Sequence, residues 1–322
     1  MPERSDNMQQ YDIGLSLCVT SKCNLNCAYC ISRKNEEKCG ERPYVELRNM
    51  LGMLLLWNLI KRRWQERVRP IDIPRLMKTL DETGKIFRVN FTGGEPFLVP
   101  NIIEACVEIT KKHFIALVTN LSMDNGDEFI ERIDPGRVIF IIASLHIKEL
   151  ERHGLLSKYM DNFRKFQARG FVIFANEVAY PPLSRETERY KKFFKEKNID
   201  LIFVPFAGQY AGRQYPGSYT DGELKAFNLD PSIRNRFDSR RKNCNAGYNT
   251  MVALPDGAVY PCYQLSRPHE KIGHIYKNIL LRNKLRDCPL DVCECPPDIG
   301  DLYLYNKAMA GQIQDEALKV LS

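Results

Sequence analysis

Three cysteines fall within eight residues near the start of the chain: Cys23, Cys27 and Cys30 in SKCNLNCAYC. Thiolates at CxxxCxxC spacing can converge on one metal centre, and their number is informative. A closed structural zinc site takes four ligands, whereas three thiolates on a four-iron cluster leave one iron open to another molecule. A bare CxxxCxxC is also compatible with a zinc knuckle. A second set, Cys244, Cys262, Cys288, Cys293 and Cys295, lies in the C-terminal third. The chain holds 11 cysteines, an odd number, and its polar N-terminus MPERSDNMQQ lacks the apolar core of a signal peptide. Residence in the cytosol is therefore expected, and metal ligation is a better reading of the thiols than a disulfide framework.

Six short β-type runs must position these residues: IGLSLCVT (13–20), FRVNFTGG (87–94), FIALVTN (114–120), RVIFIIASLH (137–146), FVIFANEVAY (171–180) and DLIFVPFAG (200–208). Most are continuous apolar runs, the pattern of parallel strands covered on both faces. Helical spacing in residues 99–112, 123–133, 150–169 and 184–197 separates them. Repeated strand-helix units predict an α/β fold, a partial (β/α)6 TIM-like barrel, because six units are too few for the eight-stranded closed form. Function is expected at the C-terminal ends of the strands, and Cys23 to Cys30 follow the first of them. Beyond about residue 217 the sequence turns polar and cysteine-punctuated. This divides the chain into a barrel over 1–216 and a small cysteine-rich module over 217–322.

The run CNLNCAYC, with an aromatic before its last cysteine, resembles the cluster-binding motif of radical S-adenosylmethionine (SAM) enzymes. The end of the second strand strengthens the resemblance, because FTGGEPFL (91–98) carries the GGEP motif that the family has there. The resemblance implies that Cys23, Cys27 and Cys30 hold a catalytic [4Fe-4S] cluster whose open iron is chelated by SAM. Reductive cleavage then gives a 5′-deoxyadenosyl radical that abstracts hydrogen from a substrate. Gly93 and Gly94 would let backbone approach a ligand closely. Glu95 and Pro96 would offer carbonyl or carboxylate acceptors to its ammonium group. Ser144 and Asn176 match places where the family contacts the SAM carboxylate or ribose, although they could equally satisfy strand ends. Tyr29 matches the aromatic position whose neighbourhood contacts adenine.

The run CNAGYNTMVALPDGAVYPC resembles the opening of the SPASM/twitch extension of the same family, with PDG supplying a hairpin turn. It implies an auxiliary [4Fe-4S] cluster on Cys244, Cys262 and two of Cys288, Cys293 and Cys295; a four-cysteine zinc site is the alternative. Cys18, Cys39 and Cys106 read as isolated thiols.

For the substrate, His146, Glu177 and Tyr180 lie just past strand ends, and Tyr210 and Arg213 lie in the loop PFAGQYAGRQYPGSY (205–219). Such a loop could grip a sugar by stacking or an anionic phosphate through Arg213. A small carbohydrate or nucleotide-sugar-like molecule is favoured over a peptide, its oxidation or epimerisation being expected of a radical SAM oxidoreductase or a related radical SAM transformation. The rival readings are a peptide-modifying SPASM-type maturase and a non-catalytic zinc protein. An electron donor such as flavodoxin or ferredoxin is the expected partner. The net charge of +7, spread along the chain, gives no case for nucleic acid. The apolar run 49–60 followed by KRRWQERVR reads as a buried helix, with membrane-surface contact through 49–67 as the alternative.

Overall fold

The structure is a computed structural model and describes residues 11–30, 68–235 and 244–290. Cys39, Cys293, Cys295 and the segment 49–67 lie outside the described residues. Six strands, β1 (Ile13–Thr20), β2 (Phe87–Gly93), β3 (Phe114–Thr119), β4 (Val138–Ser144), β5 (Ile173–Ala179) and β6 (Leu201–Pro205), follow one another side by side. Every neighbouring pair among them is parallel. The edge strand β6 does not close onto β1, so the barrel is open, as the count of repeats requires.

Helices return the chain between strands: α1 (Ile73–Glu82), α2 (Ile102–Thr110), α3 (Gly126–Arg132), α4 (Ile147–Arg152), α5 (Leu156–Ala168) and α6 (Thr187–Lys195). The stretch 150–169, expected as one helix, is two, separated by Gly154 at φ +66°. A left-handed residue cannot continue an α-helix, and glycine adopts that conformation at little cost. The sequence reading also missed α1. Its signals were present: the Asp72 side chain caps the Arg75 amide at 3.2 Å, and Leu76 and Leu80, four residues apart, are fully buried.

Period-two alternation splits the strand residues between two apolar clusters. On one face Leu15, Phe91, Leu117, Ile141 and Ala143 pack against helix residues Leu80, Ile109, Phe129 and Phe166. On the other, strand residues Ala116, Ile142, Phe174 and Ile202 form a smaller cluster. Beyond β6 the chain makes a hairpin of β7 (Gly208–Tyr210) and β8 (Arg213–Tyr215), then α7 (Asp221–Phe227).

The cysteine-rich region does not stand apart from the barrel sheet. Its strand β9 (Thr250–Ala253) pairs parallel with β1. The strands β10 (Ala258–Tyr260), β11 (Gly273–His274) and β12 (Asn278–Ile279) continue outward antiparallel, giving a ten-stranded sheet. The PDG turn forms the expected hairpin between β9 and β10, with Gly257 at φ +85°.

Phe129 is fully buried and lies within 6 Å, centroid to centroid, of Phe97, Phe166 and Phe171. Phe129→Ala is expected to cost about 3–5 kcal/mol of folding stability through the cavity it leaves, read as a lowered urea midpoint.

Candidate active site

The strand β1 runs directly into the loop carrying Cys23, Cys27 and Cys30, and the GGEP turn ends the neighbouring strand β2. The Gly94 amide donates to the Thr20 carbonyl at 2.6 Å and the Glu95 amide to the Lys22 carbonyl at 2.8 Å. The parallel ladder therefore continues past the strand ends into the cysteine loop. Gly93 sits at φ +118°, and a Cβ there would lie 2.3 Å from the Thr20 carbonyl oxygen. A Cβ at Gly94 would lie 1.9 Å from the Lys22 oxygen. The close backbone approach expected at these two glycines is made by the backbone of the cysteine loop.

Glu95 is expected, with Pro96, to offer carbonyl or carboxylate acceptors to a ligand ammonium group. Its carboxylate is buried and engaged by the chain itself: Oε1 accepts from the Phe97 amide at 3.1 Å and from Thr119 Oγ1 at 2.7 Å, and Oε2 accepts from the Asn120 amide at 2.8 Å. It ties the end of β2 to the end of β3. Burial pushes its pKa up to about 7 against these hydrogen bonds. Pro96 opens a short 3₁₀ turn (Pro96–Leu98) and is buried.

Tyr29, His146, Glu177 and Tyr180 come together from three separate segments. The Tyr29 hydroxyl donates to Glu177 Oε1 at 2.7 Å and lies 3.2 Å from His146 Nδ1. Its ring is 5.8 Å from His146 and 5.2 Å from Tyr180. Glu177, read as a substrate contact, is 2% exposed, and its carboxylate also accepts from the amides of Ile147 at 2.6 Å and Val178 at 2.7 Å. It is therefore a latch between the cysteine loop, the start of α4 and β5. Burial raises its pKa to about 7, opposed by those three hydrogen bonds, and drives the Tyr29 hydroxyl up as well. His146 takes a left-handed conformation at φ +44°. Desolvation lowers its pKa to about 4, so it is neutral at pH 7.

Desolvation likewise raises the pKa of the Cys23 and Cys27 thiols, and the charges of neighbouring thiolates and of Glu95 or Glu177 add to it. Without a cationic partner these thiols stay protonated, so metal ligation here must release protons. No three His, Cys, Asp or Glu side chains among the described residues are gathered as ligands of a single metal ion. Three thiols on a loop tied by hydrogen bonds to the GGEP turn and to Glu149 nevertheless suit a multi-iron cluster. Sequence reasoning missed Asn120 and Glu149. Asn120 Nδ2 donates to Cys23 Sγ at 3.7 Å. Glu149 accepts from the Asn26 amide in the cysteine loop at 2.8 Å. Asn120 had a readable signal, a polar residue ending an apolar strand, whereas Glu149 sits on a helix with nothing in its spacing to point to the loop.

Ser144 on β4 and Asn176 on β5 pair in register at the same end of the sheet. Asn176 Oδ1 is buried without a hydrogen-bond partner among the described residues. Tyr180 contacts the half-exposed Tyr210 at 5.2 Å. Phe206, Tyr215 and Tyr219 of the same 205–219 stretch are buried in the core, so they are packing rather than gripping residues. Arg213 donates to the Ser218 carbonyl and lies over the Tyr215 ring.

In the C-terminal region Cys244, Cys262 and Cys288 line one cavity together with Arg282 and Arg286. Burial, with the nearby Cys244 and Cys288, raises the Cys262 thiol to about 11, against two backbone amides that lower it. Cys18, read as an isolated thiol, lies 3.1 Å from the Tyr263 hydroxyl, next to Cys262 in sequence.

An open parallel barrel with three thiols beyond its first strand, locked to a GGEP turn beyond its second, defines a class of cluster-dependent enzymes. The profile of the Radical SAM superfamily matches residues 17–194, more than half of the chain, and the chain belongs to that superfamily. The family uses a catalytic [4Fe-4S] cluster and SAM. The chain is 27% identical over 202 residues to a GTP 3′,8-cyclase of Listeria welshimeri, covering 60% of this chain and 53% of the relative. It thus spans about half the length of the curated relatives it matches. Among solved structures it resembles native anSMEcpe with bound AdoMet, with a TM-score of 0.53, 18% identity, and coverage of 82% of this chain and 78% of that one. It also resembles Streptococcus suis SuiB, with a TM-score of 0.52, 14% identity, and coverage of 96% and 69%. At these identities the two likenesses concern the fold. No helix among the described residues is long and apolar enough to cross a membrane.

Glu177 carries a pH prediction. Its folded-state pKa of about 7 lies above the ordinary 4.5, so the unfolded chain releases this proton first and stability falls as pH rises through that window. Glu177→Gln is expected to flatten the fall between about pH 5 and about pH 8 in anaerobic urea titrations. An unchanged slope would show that Glu177 titrates normally in the fold.

Proposed function

We propose that this enzyme cleaves SAM reductively at a cluster on Cys23, Cys27 and Cys30 and abstracts hydrogen from a small molecule, with an oxidoreductase outcome. The observation that carries the reading is the rigid junction of the cysteine loop with the GGEP turn at the C-terminal end of the parallel strands. A cluster and SAM bound there supply a hydrogen-abstracting carbon radical.

The chain's own residues do the rest. Glu95 and Glu177 hold the loop in place, Ser144 and Asn176 present polar groups to SAM, and Tyr29 packs against His146 and Tyr180. Tyr180 and Tyr210 form an aromatic wall for a ring-bearing substrate, with Arg213 on the same hairpin to meet an anionic group. A carbohydrate or nucleotide-like substrate suits this wall, and the curated relatives are named for a nucleotide. A peptide is the second reading, because one of the anSMEcpe structures carries a bound peptide. A reduced flavodoxin or ferredoxin is the fitting electron donor.

Residues 217–322 act, on this reading, as a SPASM/twitch-like module that holds an auxiliary [4Fe-4S] cluster on Cys244, Cys262 and Cys288, with Cys293 or Cys295 completing the set. The cavity shared by the first three supports it.

Two measurements test the reading. Wild type reconstituted anaerobically with iron and sulfide, reduced and given SAM should form 5′-deoxyadenosine, and Cys27→Ala should fall to background. Product from both would remove the cysteine loop from the chemistry. Iron should be near eight per chain in wild type and about four in Cys262→Ala, given four per cluster; stoichiometric zinc without sulfide would replace the auxiliary cluster with a structural zinc site.

A further inference from the structure

Asn120 directly follows β3, is 3% exposed, and has its whole side-chain amide committed. Oδ1 accepts from the Ser122 amide at 3.0 Å and from Ser122 Oγ at 2.5 Å. Nδ2 donates to Asn24 Oδ1 at 2.9 Å and to Cys23 Sγ at 3.7 Å. Asn24 Nδ2 closes the ring by donating to Ser122 Oγ at 2.7 Å. These contacts fix the orientation of the amide. A flipped Asn120 would aim its NH₂ at the Ser122 amide, donor against donor, and its oxygen at the cysteine sulfur. The main chain of Asn120 is held as well, because its amide donates to the buried Glu95 carboxylate. The Cys23 sulfur thus receives one donor from Asn120 and a second from the Leu25 amide at 3.4 Å.

We propose that Asn120 is a positioning residue of the catalytic centre: its amide orients the Cys23 sulfur and raises the reduction potential of a cluster bound there. A hydrogen bond to a ligating thiolate draws charge from the sulfur and stabilises the reduced, more negative cluster more than the oxidised one. The enzyme's first chemical demand is one-electron reduction of that cluster, so the bond eases the step on which SAM cleavage depends. The inference rests on the cluster reading given above.

The test uses the full-length chain reconstituted anaerobically with iron and sulfide, following the SAM-responsive EPR signal in a redox titration. The midpoint should be highest in wild type, lower in Asn120→Ala, and lowest in Asn120→Asp, where an acceptor replaces the donor. Iron content should stay unchanged, and 5′-deoxyadenosine formed with a weak reductant should fall in the same order. Equal midpoints, or a higher midpoint in either variant, overturn the inference while leaving the cluster reading intact. Should Asn120→Asp not fold, Asn120→Ala against wild type decides. Loss of iron from both variants would make Asn120 a residue that merely retains the loop, which also overturns the proposal. A SAM-responsive signal surviving combined Cys23→Ala, Cys27→Ala and Cys30→Ala overturns the site assignment itself and takes the inference with it.

Discussion

The site depends on the two hydrogen bonds by which the GGEP turn extends the β1–β2 ladder into the cysteine loop. Past a register shift between Cys18 and Thr20, the bonds from Gly94 to Thr20 and from Glu95 to Lys22 carry the parallel pairing from the end of β1 into the loop. Each such bond contributes only about 0.5–1.5 kcal/mol net, but leaving buried partners unmade costs about 1–3 kcal/mol. The loop therefore has one well-determined position. Close approach is the precondition, and it excludes a side chain at residue 94 altogether, because the Lys22 carbonyl occupies the Cβ position.

From this junction the other supports radiate. The Glu95 carboxylate carries the constraint to β3, Asn120 carries it back to Cys23, and Glu177 joins Tyr29 to β5 and α4. The same arrangement concentrates groups that resist ionisation. Two carboxyls with pKa near 7 and thiols raised by burial share a small volume of low polarity. Burial keeps the thiols protonated, so iron bound there would take them as thiolates with release of their protons.

Much of this was legible in advance, for identifiable reasons. Strand β1 runs over the same residues, 13–20, that the apolar run marked out, because a strand covered on both faces has little freedom in its pattern. The PDG hairpin was legible because turn chemistry is local. The glycines of GGEP were read correctly as marking close backbone approach, but the sequence names no neighbour, and the neighbour proved to be the chain itself. Tyr215 and Tyr219 share the 205–219 loop with Tyr210 yet are buried in the core, a difference the sequence does not carry, since an aromatic side chain in a loop looks the same whether it faces a ligand or the core. The 150–169 helix was drawn through Gly154 because apolar spacing resumes on the far side of the break.

What the sequence by itself determined was the chemistry on offer: three thiols at a cluster spacing, a glycine turn at the end of the second strand, and parallel strands to carry them. These are local properties, set by residue type and by separations of a few positions. Only the tertiary structure decided which polar groups face a ligand and which are consumed in holding the loop. Glu95 and Asn120 meet across 25 residues of chain, and Tyr29 and Glu177 across 148. Such pairings follow from strand order and register, which are fixed when the whole sheet packs against its helices, so no short window of sequence contains them.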